Sequence, residues 1–341
     1  MIRDSLPTRG IADNGIVQTS VVLNPIISTG SDFERANAEQ WTAAMRNGEF
    51  EKAWRIGDRA LAARIDYREG YIGFRAVWQG RPLSGRHILL RCWRGLGDTI
   101  QFIRYIPLLR PRVQSITAEA NEILFPILAG IKEIDRLVPL REENPLRSEE
   151  ADVVEIEVTE LPFAFRTTLE TIPNQVPYLR VDPAEIAKLP RSLNVGLCWE
   201  GGSWDPRRAI PLAAFRPLGD LPHIAFRHLQ RGPSLTEIST SGLCFRNLED
   251  NSPNLQNTAR LVAALDLVIS VDTMIAHLAG ALAKPVWTLL HTDADWRWLR
   301  GRNDSPWYPT MRLFRQTIAG DWISVVSRVT DCLTELAKKK N

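Results

Sequence analysis

The run from Ala264 to Pro285, ALDLVISVDTMIAHLAGALAKP, leaves a chain few ways to fold. Its first part is apolar and β-branched, the pattern of a buried strand. The pattern breaks at Asp272-Thr273, and a helical repeat begins at once. That helix should end near Lys284-Pro285, after which Val286–Leu290 reads as the next strand. The unit is strand, helix, parallel strand, with a polar helix start at the carboxyl end of a buried strand. Free backbone N–H groups and the helix dipole make such a start receptive to phosphate. His277 follows Thr273 by one helical turn, so both can address one ligand from the same face. These features predict a nucleotide-diphosphate site.

The rest of the composition bounds the partners. A chain of 341 residues has room for two domains and an appendage. Net charge is +2 with acids and bases interspersed, which argues against nucleic acid or a membrane surface as the main partner. Cys92, Cys198, Cys244 and Cys332 are scattered without Cys-x-x-Cys spacing, as expected of buried thiols in a reducing compartment rather than a disulfide frame or zinc site. The amino terminus shows no signal-peptide core, and no apolar run reaches membrane-spanning length. A cytoplasmic location follows as the expectation, and action at the inner membrane face is compatible with it. Trp199, Trp204, Trp296, Trp298 and Trp307 cluster near carboxyl-half loops, where indoles serve either as packing or as walls for sugars and bases.

Residues 1–30 lack periodicity and read as a loose arm. Residues 31–80 contain two helical patterns about an Asn47-Gly48 turn: Ala36, Trp41, Ala44 and Met45 before it, and Phe50, Ala53, Trp54, Ile56 and Leu61 after it. This hairpin looks like one tetratricopeptide-type unit. No second copy follows, so a solenoid is excluded and the hairpin must cover its apolar faces on the main body. Alternating strands and helices start at His87–Cys92 and fill residues 81–190, with further strands near 115–118, 137–140 and 153–158. Ile100, Ile103 and Ile106 mark a helix face that Pro107 bends or ends. Prolines 173, 177, 183 and 190 mark residues 172–191 as a linker. Residues 191–341 repeat the strand and loop texture from Leu193 and close with a helix over about Trp322–Lys338. Two doubly wound α/β domains in tandem would face each other across a cleft at their strand carboxyl ends.

Three loops carry chemistry. Gly95-Leu96-Gly97-Asp98 lies between a strand and a helix, yet it has neither the Gly-Lys-Ser/Thr of a P-loop nor a third dinucleotide-binding glycine. The glycines admit a ligand to the backbone. Asp98 reads either as an N-cap or as a general base that takes the proton of an incoming hydroxyl. The loop after the strand Leu193–Trp199 contains Gly201 and Gly202, which open the backbone, and Arg207-Arg208, forked donors suited to a diphosphate unless they are merely a solvated pair. The third loop is the Asp272-Thr273 turn itself, which makes His277 a candidate ligand contact rather than a core histidine. Asp293 and Asp295 have the spacing of a metal-binding pair, but the fold that uses such a pair is absent. No Gly-x-Ser-x-Gly hydrolase elbow occurs either.

In order along the chain, Gly-Leu-Gly-Asp98-Thr-Ile-Gln-Phe, Val-Gly-Leu-Cys-Trp-Glu-Gly with Arg208-Ala-Ile-Pro, and Ser-Val-Asp272-Thr273-Met-Ile-Ala-His277 resemble a bacterial group of tetratricopeptide-associated glycosyltransferase-like proteins. That group is similar to the ADP-heptose:lipopolysaccharide heptosyltransferases. Asp295-Trp-Arg-Trp, Ser305-Pro-Trp-Tyr-Pro and Met311-Arg-Leu-Phe-Arg-Gln look typical of its tetratricopeptide-associated branch, and the likeness runs from about Phe33 to Leu336. The resemblance implies a GT-B fold, with the donor nucleotide held mainly by the second Rossmann-like domain and the acceptor by the first. It implies that Asp98 is the catalytic base. Arg208 with Arg207, Asp272, Thr273 and His277 would bind the donor, and Gln230 at a strand end would join them. Metal and cofactor would be unnecessary, because arginine and a helix terminus neutralise the leaving diphosphate. The chain departs from the heptosyltransferases in having Arg208 where lysine is usual, Gly-Leu-Gly-Asp in place of a Met-Gly-Asp type loop, and the amino-terminal hairpin.

The implied activity is a metal-independent, inverting-type transfer of sugar from a nucleotide-diphosphate sugar to a saccharide, lipid-linked or protein acceptor. A rival from another class is a non-catalytic interaction protein that docks a partner through the hairpin and keeps the cleft as a nucleotide sensor or scaffold. An epimerase or hydrolase on the same fold is the weaker enzymatic rival.

Overall fold

The computed structural model describes residues 32–64, 78, 80–141, 152–186, 192–202, 205–246 and 254–340. The expected arm over residues 1–30, and Trp204 with its neighbour in the second loop, lie outside the described residues.

Helices α1 (Asp32–Arg46) and α2 (Phe50–Arg64) form the hairpin, joined where Gly48 adopts φ of +77°, a left-handed conformation that glycine accepts without strain. Ala44, Met45, Phe50, Ala53, Trp54 and Ile56 are buried as the pattern requires. Ala36 is not; Ala38 takes the inward position instead.

Four parallel strands follow: β1 (His87–Cys92), β2 (Ser115–Ala120), β3 (Arg136–Pro139) and β4 (Val153–Glu157), in the order β3-β2-β1-β4. The second sheet holds β5 (Leu193–Cys198), β6 (Ile224–His228), β7 (Leu267–Val271), β8 (Val286–Leu290) and β9 (Met311–Arg315), also all parallel, in the order β6-β5-β7-β8-β9. In both sheets the chain starts in the interior and later winds to the other side. A crevice therefore opens at the carboxyl ends, between β1 and β4 in the first sheet and between β5 and β7 in the second. Strand β9 was not foreseen, although Met311-Arg-Leu-Phe-Arg alternates as an edge strand should, with Arg312 exposed between buried neighbours.

Strand period two sorts the second sheet's side chains onto two faces. Leu267, Ile269 and Val271 join Trp287 and Leu289 against Val325, Val326, Val329 and Leu333 of the terminal helix. Val268, Val286 and Leu290 face the opposite way, into a core shared with helices α4 (Leu255–Ala264) and α5 (Met274–Ala281). That core continues without a break through α3 (Leu96–Phe102) to β1, β2, β4 and the hairpin. The terminal helix, α6, runs over Trp322–Lys340.

The helix expected through Ile106 ends at Phe102 instead, and a tighter turn, Ile103–Tyr105, follows before a new turn containing Pro107. Proline has no N–H to give to residue 103, so the regular ladder cannot run through it. The proline-rich linker has no helix or strand over 172–186 and hydrogen-bonds to the second half: Tyr178 and Leu179 N–H donate to the Ala281 carbonyl, and Ala184 N–H to that of Arg260. Among the cysteines, Cys92 and Cys198 are buried, but Cys244 is exposed and Cys332 half-buried, correcting the expectation of four core thiols.

Candidate active site

The second sheet's crevice gathers three stretches that are far apart in sequence. Beyond β7, Thr273 caps α5: its backbone is extended, with φ of −143° and ψ of 174°, and its hydroxyl accepts the Ile275 N–H at 3.0 Å. Beyond β5, the Asp205 side chain caps the turn Pro206–Arg208, which turns Arg208 inward. The Arg208 guanidinium donates to the Asp272 carbonyl at 2.7 Å and to the Gly202 carbonyl at 3.2 Å. Gly201 lies so close over this cluster that a Cβ there would sit 3.1 Å from the Thr273 methyl and 3.5 Å from the Arg208 guanidinium carbon. Gly201, Gly202, Arg208, Asp272 and Thr273 thus form one group at the β5–β7 switch point.

Gln230 serves this group from behind. Its side-chain oxygen accepts from the Trp199 and Glu200 N–H groups at 3.2 and 3.0 Å, and its amide donates to the Arg231 carbonyl at 3.1 Å. It pins the first turn of the β5 loop to the end of β6. Arg207 turns the other way: it pairs with Asp205 at 2.8 Å and Asp293 at 3.4 Å, and its side chain is largely exposed. His277 is buried, stacks on Trp298 at 5.2 Å, and sits 3.0 Å from the Tyr308 hydroxyl through Nδ1. Burial first, then the nearby charges of Arg297, Arg104 and Arg208, hold its pKa well below the usual histidine value. It is a neutral ring packed beneath the loop of the first half.

The contact between halves runs through Gly97. A Cβ there would lie 2.9 Å from His277 Cδ2 and 3.3 Å from Met274 Cα, so only glycine lets α3 approach the start of α5 this closely. Gly95 N–H donates to Asp98 Oδ2 at 3.1 Å, which makes Asp98 part of the helix start. Its other oxygen accepts from Arg297 Nη2 at 2.6 Å. Arg297 was missed as a site residue, since its only sequence signal is a place within Asp-Trp-Arg-Trp. It is buried and also bonds Asp295 at 2.8 Å. Burial opposes its charge, but Asp295 and Asp98 prevail and raise its pKa above the ordinary arginine value. Burial pushes the Asp272 carboxyl up to about 6, with Arg208 and Arg297 pulling against this and Asp295 adding to it.

Trp199, Trp296, Trp298 and Trp307 are all buried, which decides between the two readings of these indoles: they pack. Asp293 pairs with Arg46 as well as Arg207, and Asp295 with Arg297. Among the described residues, no group of three or more histidine, cysteine, aspartate or glutamate side chains is arranged to hold a metal ion, and no helix is long and apolar enough to cross a membrane. The hairpin bridges the halves. Trp54 Nε1 donates to the Thr167 carbonyl at 2.7 Å and Arg166 pairs with Asp58 on one side. On the other, Trp41 and Phe50 meet the edge of Trp296 at 5.7 and 6.5 Å.

Residues 252–305, which carry the Asp272-Thr273 turn, match the family described as glycosyltransferase family 9 (heptosyltransferase). Protein FlbA of Caulobacter vibrioides is 28% identical over 295 residues, covering 76% of this chain and 48% of its own, so the chain spans about half the length of this curated relative. The fold is that of the glycosyl transferase family 9 protein from Veillonella parvula, with a TM-score of 0.53, 12% identity, and 76% and 99% of the two chains covered. The E. coli heptosyltransferase WaaC with ADP superposes with a TM-score of 0.47, 12% identity, and 75% and 100% coverage. Over residues 252–305 the chain is therefore similar to glycosyltransferase family 9 (heptosyltransferase), and its two parallel sheets share the fold of the Veillonella parvula protein.

Proposed function

We propose that the chain is a glycosyltransferase that moves a sugar from a nucleotide-diphosphate sugar to an acceptor hydroxyl without a metal, with Asp98 as the base. The observation that carries this reading is the convergence of Arg208, Gly201 and the Thr273 helix start at the β5–β7 switch point, with Asp98 joined to the same half through Arg297. The acceptor oxygen attacks the anomeric carbon and its proton passes to Asp98. The bond from that carbon to the diphosphate oxygen breaks, and the nucleotide diphosphate leaves with the electron pair. Arg208 and the α5 dipole meet the charge that develops on it. Because the α3 backbone lies against Met274, the diphosphate takes the Gly201–Arg208 side of the helix start. The resemblance to the ADP-heptose:lipopolysaccharide heptosyltransferases, with the family match over residues 252–305, makes ADP-heptose the first donor to try.

Calorimetric titration with ADP, UDP, GDP and their sugar conjugates tests the reading. One nucleotide should saturate the site. Arg208→Ala should weaken it by about 10- to 100-fold, the range of a charged hydrogen bond, and Thr273→Ala should weaken it less. Absence of binding by any nucleotide, under conditions where a control transferase binds, would remove the donor site and leave the interaction-protein reading.

A further inference from the structure

We infer that Arg297, a residue of the donor half, is the positioning residue for Asp98 in the acceptor half, so that the base is set in place only while the two halves are joined. This rests on the reading of Asp98 as the base. Arg297 belongs to a single turn, Trp296–Trp298, whose start is capped by Asp295: the Arg297 N–H donates to Asp295 Oδ1 at 3.0 Å. The same oxygen receives Nη1 at 2.8 Å, which fixes the plane of the guanidinium. Nη2 then points across to Asp98 Oδ1 at 2.6 Å. The guanidinium carbon lies 4.8 Å from the Trp296 ring centre and 5.2 Å from that of Phe102, so aromatic side chains of both halves flank it.

The exposures set the direction of support. The Arg297 side chain is 6% exposed and that of Asp98 25%. The arginine holds the carboxylate from behind and leaves part of it open. With Oδ2 fixed by the Gly95 N–H, both oxygens have a defined orientation, which is what proton transfer to a positioned base requires. A buried guanidinium is a poor device for stability alone, because desolvation offsets most of what its pairs return. Its geometry instead ties a carboxylate of one half to a framework in the other.

The test uses Arg297→Gln, Arg297→Lys, Asp98→Asn and the double variant Arg297→Gln/Asp98→Asn in the full chain. Three readouts are needed: sugar transfer or release from ADP-heptose, ADP affinity by calorimetry, and hydrogen exchange. Arg297→Gln should lower kcat about 10- to 100-fold, with the donor KM and ADP affinity within about two-fold of the parent. Arg297→Lys, which keeps charge without the fork, should recover part of the loss. The double variant should be no slower than Asp98→Asn alone, because the arginine acts through that carboxylate. Losses that multiply, or an ADP affinity that falls in step with kcat, would show a general interface strut and overturn the inference. If Asp98→Asn turns over normally, the base reading fails and this inference falls with it; if Asp98→Asn is slow and Arg297→Gln is not, the inference alone fails. Exchange needs no turnover, so it decides even if the parent chain leaves ADP-heptose intact. In Arg297→Gln the amides of 95–99 should exchange at least ten-fold faster while those of 275–281 are unchanged. Equal loosening of both segments would overturn the proposal.

Discussion

Glu157 ends β4 beside the first switch point, and Asp272 follows β7 beside the second, so each half buries one carboxyl at the corresponding place. Their surroundings differ. Burial raises Asp272 to about 6, and Arg208 and Arg297 work to keep it charged. Burial raises Glu157 to about 8, against Arg94 and two hydrogen bonds from Thr159, and its Oε1 is buried without a hydrogen-bond partner. The second half surrounds its carboxyl with guanidinium groups, an arrangement in keeping with the proposed diphosphate site. The first half has a carboxyl that keeps its proton at neutral pH, and the arginine that meets Asp98 comes from across the interface. Two sheets of the same winding thus hold their carboxyls to different degrees at equivalent places, because the loops bring one arginine to Glu157 and two to Asp272.

That contrast can be tested with stability measurements. The largest expected effect is on pH dependence through Glu157. An unfolded glutamate loses its proton near 4.5 and the folded one near 8, so the native state binds the extra proton and stability falls as pH rises between those values. Glu157→Gln should flatten this slope, with a difference from the parent approaching about 4–5 kcal/mol by pH 8.5, at roughly 1.4 kcal/mol per unit. Denaturant melts at pH 5 and 8.5 would read it, and parallel slopes for variant and parent would erase the contrast.

Asp272→Asn should act with the same sign over a lower and narrower window, from 3.8 to about 6, with a limit of about 3 kcal/mol. Urea midpoints at pH 4 and 7 would show it. A window as high as that of Glu157 would mean the guanidinium groups do not act on Asp272. Next in size is Gly97→Ala, which forces a methyl against Met274 backbone and should cost about 1–3 kcal/mol in thermal melts, as overpacking does. No loss there would mean the halves are not in tight contact. The smallest is Arg207→Ala. Its own side chain is largely exposed, so its pairs with buried Asp205 and with Asp293 should be worth about 1 kcal/mol, and ADP affinity should change far less than in Arg208→Ala. Equal losses in the two variants would restore Arg207 to the donor group.

Much of this was legible in advance because strand and helix periods are local. The strands from His87 onward, the Thr273 cap, the hairpin turn and the terminal helix all follow from apolar spacing and breaking residues. Strand β9 had its signal too, in Met311-Arg-Leu-Phe-Arg, but five residues at a sheet edge are a weak one. Side-chain direction was harder to read. Arg207 and Arg208 are adjacent and alike, yet the Asp205 cap sends one to solvent and the other to the Asp272 carbonyl. Gln230 was rightly placed at a strand end, but its amide holds backbone groups of the neighbouring loop.

The sequence by itself determined two runs of alternating strands and helices, the polar helix start after β7, and a hairpin that had to be covered. Those depend on interactions within a few residues, which a one-dimensional pattern contains. The tertiary structure alone decided that Arg297 meets Asp98 across 199 residues, that His277 is a neutral packed ring, and that the hairpin lies on both halves. Such pairings follow from how two separately patterned sheets pack together, and desolvation at that contact fixes the charge states that no local spacing records.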